Sequence, residues 1–224
     1  MIPGFFITAT GTGAGKTFLS RGLVRALVSR GARVAAIKPL ETGCIDGAAL
    51  DAIALARAAG RPELATAAGL YRARLAAAPY AATLAGEAPV PSTRALVRAI
   101  SDACAGASHA VVEGAGGLLV PLDHARTTAD LIRALRLPAV VVAPDVLGVL
   151  SHVLTLDQAA RALDVPVAAV ILSRHPTADV SRTSNAQILR ERLNVPVLIL
   201  EPCADDDDAL AAAVTTAGLL DLIA

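Results

Sequence analysis

Thr8-Ala9-Thr10-Gly11-Thr12-Gly13-Ala14-Gly15-Lys16-Thr17 is the stretch on which the reading of this chain turns. A short apolar run, Gly4–Thr8, leads into it, and a longer amphipathic run, Lys16–Ser29, leads out. The glycines let the backbone curl so that several N–H groups point at one centre, and the following helix adds its positive end. Such a cradle suits phosphate. Lys16 reaches the outer phosphates as a point charge, and the Thr17 hydroxyl is of the kind that ligates Mg²⁺.

The pattern is that of a nucleotide P-loop, with Thr10 where the strict form has its first glycine. A dinucleotide fingerprint is the rival reading, through Gly11-x-Gly13. It leaves Lys16-Thr17 without a task, and about 20 residues on it meets Lys38 where a ribose-binding acid is expected. A merely flexible turn would not need a lysine and a threonine between a strand and a helix.

Outward from the loop, short apolar runs alternate with longer Ala-rich amphipathic segments. The runs Gly4–Thr8, Arg33–Lys38, His109–Glu113, Ala139–Ala143, Val167–Leu172 and Val195–Leu200 read as strands covered on both faces. The spacing predicts helices over Lys16–Ser29, Leu50–Ala59, Ser92–Ala105, Thr127–Leu135, Leu147–Leu163, Ser181–Leu193 and Asp206–Ile223. Gly31 stands as a C-terminal stop, Ser92-Thr93 as a start, and Pro138, Pro166 and Pro196 each precede a strand. This order predicts an α/β fold, a doubly wound and mostly parallel sheet with helices on both faces. The segment from about Gly60 to Pro91 reads as a long functional loop or insertion, so residues 1–224 are expected to form one domain.

Composition narrows the classes. With 54% hydrophobic residues and a mean hydropathy of +0.58, the 224-residue chain can bury a large core. Twenty basic residues balance twenty acidic ones, which argues against a general nucleic-acid binder. No stretch approaches the roughly 20 apolar residues of a membrane span, and the Met-Ile-Pro-Gly-Phe-Phe opening does not read as a signal peptide. The cysteines, Cys44, Cys104 and Cys203, are odd in number and scattered, as in a reduced, cytoplasmic protein.

Of the 20 basic residues 18 are arginine, and the two lysines are Lys16 and Lys38. Lys38 ends the second strand and opens Lys38-Pro39-Leu40-Glu41-Thr42-Gly43, at the strand end where such sheets bind ligands. A compact ammonium is not replaceable by a planar fork in a tight phosphate site, so both lysines are candidate catalytic groups. Glu113 ends the third strand, followed by Gly114-Ala115-Gly116-Gly117, and occupies the position of a metal-holding carboxylate beside glycines that permit close approach of a ligand. Asp51 lies early in a helix. A metal ligand and an acid complementing the helix dipole are equally open readings for it.

These segments together resemble dethiobiotin synthetase, an ATP-dependent cyclo-ligase of biotin biosynthesis in the P-loop NTPase superfamily. The matching pieces are Thr10–Thr17, Lys38-Pro39-x-x-Thr42-Gly43, Asp51 in Leu50–Leu55, Ala78-Pro79-x-x-Ala82, Glu113–Gly117, Pro121-Leu122 and Leu147-Gly148-x-x-Ser151-His152. They follow the family order over nearly the whole chain. The resemblance implies that 7,8-diaminononanoate, CO₂ (or bicarbonate) and ATP give dethiobiotin, ADP and phosphate through a carbamate and a carbamic–phosphoric anhydride. It implies ATP contacts from Gly13, Ala14, Gly15, Lys16, Thr17, Phe18, Asp51, Glu113, Gly114, Ala115 and Gly116. Mg²⁺ would be held by Thr17, Asp51 and Glu113. Lys38 would face the carbamate and the γ-phosphate, and Thr12 and Thr42 would contact the substrate. The helix start Gly148, Val149, Leu150 and Ser151 would hold the substrate's tail carboxylate from the partner subunit of a homodimer. A helix start has free N–H groups suited to a carboxylate.

The chain departs from the family in three places. Gly11 and Gly13 replace acids, Ser173-Arg174 stands where Asn-Asp reads adenine, and Ile199-Leu200-Glu201-Pro202 lacks a glycine. His109, His124, His152 and His175 read as structural or surface groups, and Asp205–Asp208 as an acidic helix cap. Two other readings compete. A cobyrinate-amidating synthetase would carry a glutaminase domain, for which there is no room. A partitioning-type ATPase would carry a second lysine early in the loop, at the position of Gly11.

Overall fold

β1 (Gly4–Ala9) runs through the middle of a six-stranded sheet, with β5 (His109–Glu113) on one side and β6 (Ala139–Pro144) on the other. β2 (Val34–Ile37) lies outside β5, and β7 (Val167–Ser173) and β8 (Val197–Leu200) lie outside β6, in the order β2-β5-β1-β6-β7-β8. Every pairing is parallel. This computed structural model describes residues 2–177 and 179–223 of the chain.

Helices cover both faces because successive strand residues point to opposite sides. Phe5, Ile7 and Ala9 of β1 pack with Leu19, Leu23 and Leu27 of α1 (Lys16–Ser29) and with Leu55 of α2 (Leu50–Ala58). Phe6 points the other way. It joins Ile37 and Val112 against Leu96 and Ile100 of α4 (Thr93–Ala103) and Leu131, Ile132 and Leu135 of α5 (Thr128–Leu135). On that face farther along the sheet, Val141 and Leu172 meet Val149 and Val153 of α6 (Val149–Ala162) and Leu189 of α7 (Asn185–Arg192). The expected doubly wound parallel architecture is the observed one.

α8 (Asp207–Thr216) lies against α1 at Gly22, where an added Cβ would come 2.7 Å from the Leu210 carbonyl oxygen. The acidic run before it has two tasks. Asp206 caps the helix by accepting from the amides of Asp208 and Ala209, while Asp205 and Asp207 pair with Arg21 and Asp208 with Arg25.

The structure departs from the sequence reading in three segments. The irregular stretch between Gly60 and Pro91 holds β4 (Tyr71–Ala73), paired in parallel with β3 (Leu40–Thr42), and a short α3 (Pro79–Leu84). The helix expected over Ser181–Leu193 splits into a 3₁₀ turn, Val180–Thr183, and α7. The last helix breaks at Gly218, whose φ of 81° ends α8 before a final 3₁₀ turn. Among the described residues no helix is long and apolar enough to cross a membrane.

Candidate active site

The parallel registers bring the charged residues together. Ile7 lies opposite Glu113, and Ile37 opposite Val112, so Lys38, one residue past β2, arrives beside Glu113. These strand ends, the first loop and the start of α2 enclose a cleft of about 600 Å³ at the carboxyl edge of the sheet. Its lining includes Thr12, Gly13, Gly15, Lys16, Thr17, Phe18, Lys38, Thr42, Asp51, Ala115 and Gly116. Most residues singled out from the sequence therefore share one cleft.

Gly15 precedes α1 with φ 94° and no side chain caps that helix, so its first N–H groups are left for a ligand. Gly13 has φ 75°, a second left-handed turn of the loop. Gly11 needs no such freedom: its φ is not positive, and a Cβ there would meet nothing within 4 Å. Its carbonyl accepts a 3.3 Å hydrogen bond from Lys16 Nζ. Lys16 is 7% exposed, and burial, followed by the charge of Lys38, pulls its pKa below the ordinary lysine value.

Lys38 Nζ donates to Glu113 Oε1 at 2.5 Å and to Asp51 Oδ2 at 2.7 Å. Burial works against its charge, but the Glu113 and Asp51 carboxylates outweigh burial and hold its pKa above the usual range. Asp51 is the mirror case. Burial would raise its pKa, and Lys38 brings it below the ordinary aspartate value. The Thr17 hydroxyl donates to Glu113 Oε1 at 2.8 Å. Glu113 is fully buried, and its Oε2 has no hydrogen-bond partner among the described residues.

Two carboxylates, one of them with an unmet buried oxygen, and one hydroxyl form a hard oxygen donor set, which fits Mg²⁺. Among the described residues no group of three or more His, Cys, Asp or Glu side chains converges as a metal site.

Two of the three glycines after Glu113 have a packing task. A Cβ on Gly114 would come 2.7 Å from the Phe6 ring, and one on Gly117 would come 2.7 Å from the Ala9 carbonyl oxygen. Those two let the loop lie flat on β1, while Ala115 and Gly116 face the cleft. Gly148, Val149, Leu150 and Ser151 line no part of this cleft; Gly148, at φ 93°, starts α6 with no side-chain cap. His152 lines a second hollow of about 460 Å³, behind Thr10–Thr12 and beside Leu118–Pro121. Ser173 lies against the back of the phosphate loop, its Oγ 3.3 Å from where a Gly15 Cβ would stand. Arg174 is held by Asp145 at 3.0 Å and Glu201 at 2.6 Å.

Glu41, Pro79 and Val120 also line the main cleft, and none was assigned a role from the sequence. Glu41 and Val120 carried no local pattern. Pro79 stood inside the quoted Ala78-Pro79-x-x-Ala82 segment and was the one that motif matching could have flagged.

Residues 3–203 match the family described as an AAA domain. The chain is 41% identical over 221 residues to the ATP-dependent dethiobiotin synthetase of Caulobacter sp. strain K31, covering 95% of this chain and 93% of that protein. It is 38% identical to the enzyme of the same name from Anaeromyxobacter dehalogenans strain 2CP-C, covering 88% and 89%. The biotin biosynthesis bifunctional protein of Bordetella avium is 36% identical, and the match covers 93% of this chain and 41% of that protein. Among solved structures, the signal recognition particle receptor FtsY from Elizabethkingia anophelis superposes with a TM-score of 0.57 at 14% identity, over 96% of this chain and 65% of that one. That likeness speaks for the fold alone. Fold, phosphate loop and near full-length matches above 30% identity agree: the chain belongs to the ATP-dependent dethiobiotin synthetase family.

Proposed function

We propose that residues 1–224 act as one synthetase domain that closes the ureido ring of dethiobiotin from 7,8-diaminononanoate, CO₂ and ATP. The observation that carries the reading is the convergence of both lysines with Thr17 and Asp51 in one cleft, with the buried Glu113 carboxylate accepting from Lys38 and Thr17. One amine of the substrate forms an N–C bond to CO₂ and loses a proton, giving a carbamate. A carbamate oxygen then attacks the γ-phosphorus of ATP, and ADP leaves. The second amine attacks the carbonyl carbon of the mixed anhydride, expels phosphate and closes the ring.

Each step gathers negative charge in a small volume, so the protein's task is placement and neutralisation. The free N–H groups of the loop Gly13–Phe18 hold the phosphates, and Lys16 meets the transferred phosphoryl group. Lys38 pairs with the carbamate and the γ-phosphate. Thr17, Asp51 and Glu113 would hold Mg²⁺, which when bound neutralises phosphate charge. Thr12 and Thr42 border the cleft and contact the diamine. In this reading the protein is a cytoplasmic homodimer, with the substrate's tail carboxylate on the helix start Gly148–Ser151 supplied by the partner subunit. Leu147, 80% exposed just before that start, suits burial against a second copy.

The test is phosphate release from purified protein given ATP, Mg²⁺ and bicarbonate. Release that depends on diaminononanoate, with dethiobiotin as product, is the expected result. Hydrolysis indifferent to the diamine would remove the reading.

A further inference from the structure

We propose that Glu41 is a positioning residue of the nucleotide site, acting through Asp51. The inference rests on the metal-binding role proposed above for Asp51. Helix α2 begins after Ala49, whose side chain offers no acceptor, so the first N–H groups of the helix lack a local cap. Glu41 supplies it from another segment. Its Oε1 accepts from the Asp51 amide at 2.8 Å and its Oε2 from the Ala52 amide at 2.9 Å.

The carboxylate is 6% exposed, and its burial is balanced by these two charge-assisted bonds and the positive end of the helix. Arg72, opposite Glu41 in the β3–β4 pair, donates to the Lys38 carbonyl at 2.9 Å. One small sheet therefore fixes both the backbone behind Lys38 and the backbone under Asp51.

A cap alone would be a matter of stability. Here one of the two capped amides belongs to Asp51 itself, the second residue of the helix. Its carboxylate stands on a single methylene, so any error in the backbone passes directly to the 2.7 Å contact with Lys38 and to any metal held there. Partners that orient a metal ligand typically govern metal affinity by ten- to a hundredfold.

The experiment is calorimetric titration of ATP into the full chain at graded Mg²⁺, without the diamine, for the parent, Glu41→Gln, Asp51→Asn and the double variant. Gln keeps one acceptor and turns an NH₂ group toward the other amide. The expected result is a Mg²⁺ requirement raised about ten- to a hundredfold in Glu41→Gln. Glu41→Gln should then add little in the Asp51→Asn background, because the two act as a unit. A parental Mg²⁺ requirement in Glu41→Gln overturns the inference, as does full additivity in the double variant. A parental requirement in Asp51→Asn overturns instead the metal role of Asp51. If Glu41→Gln does not fold, Ala49→Ser in the same chain restores a local cap. Recovery of folding together with a parental Mg²⁺ requirement would show a cap and nothing more, and would overturn the positioning role.

Discussion

Lys38 and Glu113 are 75 positions apart in the chain and 2.5 Å apart in the fold. The Glu113 carboxylate is fully buried and Lys38 is 5% exposed, so the two form a buried ion pair. Lys38→Gln breaks that pair. Breaking a buried pair from one side costs about 3 kcal/mol or more, and losing a cation at the reacting phosphoryl group costs about a hundred- to a thousandfold in turnover. The expected outcome is a lower denaturation midpoint, ATP binding that persists and phosphate release that nearly stops. Unchanged turnover would take Lys38 out of the chemistry.

Metal removal tests the same cluster from its acidic side. Phosphate release should stop in EDTA and return on adding Mg²⁺. In Glu113→Gln, added Mg²⁺ should not restore it, because an amide replaces the buried carboxylate whose Oε2 is unmet among the described residues. Full release in EDTA would leave Thr17, Asp51 and Glu113 without a metal role.

The acid side of the stability profile should carry the mark of Asp123. The Ala125 amide and the Arg126 guanidinium hold its pKa down at about 2. A depressed carboxylate stabilises the fold fully above its ordinary pKa, and that contribution fades as pH falls through the folded value. Asp123→Asn should therefore lower the melting temperature at pH 7, with the gap to the parent closing between pH 4 and 2. A gap independent of pH would contradict this assignment.

Two glycines should separate stability from catalysis. In Gly22→Ala the new methyl meets the Leu210 carbonyl oxygen at 2.7 Å, between α1 and α8 and away from the cleft. It should cost about 1–3 kcal/mol and leave kcat/KM at low temperature intact. In Gly117→Ala the methyl meets the Ala9 carbonyl oxygen at the same distance, at the root of the phosphate loop, so both stability and kcat/KM should fall. Equal kinetics in the two variants would refute the contrast.

Much of the fold is legible in the order of residues along the chain. The six apolar runs became six parallel strands, and the loop after the first became a glycine turn at the start of α1, because buried strands and glycine turns are written in local composition. β3 and β4 escaped because each spans three residues, too few for a periodicity, and each exists only by pairing with the other. The breaks at Ser184 and Gly218 escaped because an amphipathic pattern runs across them, while the backbone turns there.

The site divides in the same way. The identity of its charged groups could be read from an unusual economy, two lysines among 20 basic residues, both now in one cleft. Their arrangement could not be. The parallel register of β2 against β5 decides that Lys38 meets Glu113, and the cap from Glu41 decides where Asp51 stands. Local sequence specifies which elements form and which residues can carry charge. Contacts between residues ten to 96 positions apart depend on how the elements pack, and tertiary structure alone determined them.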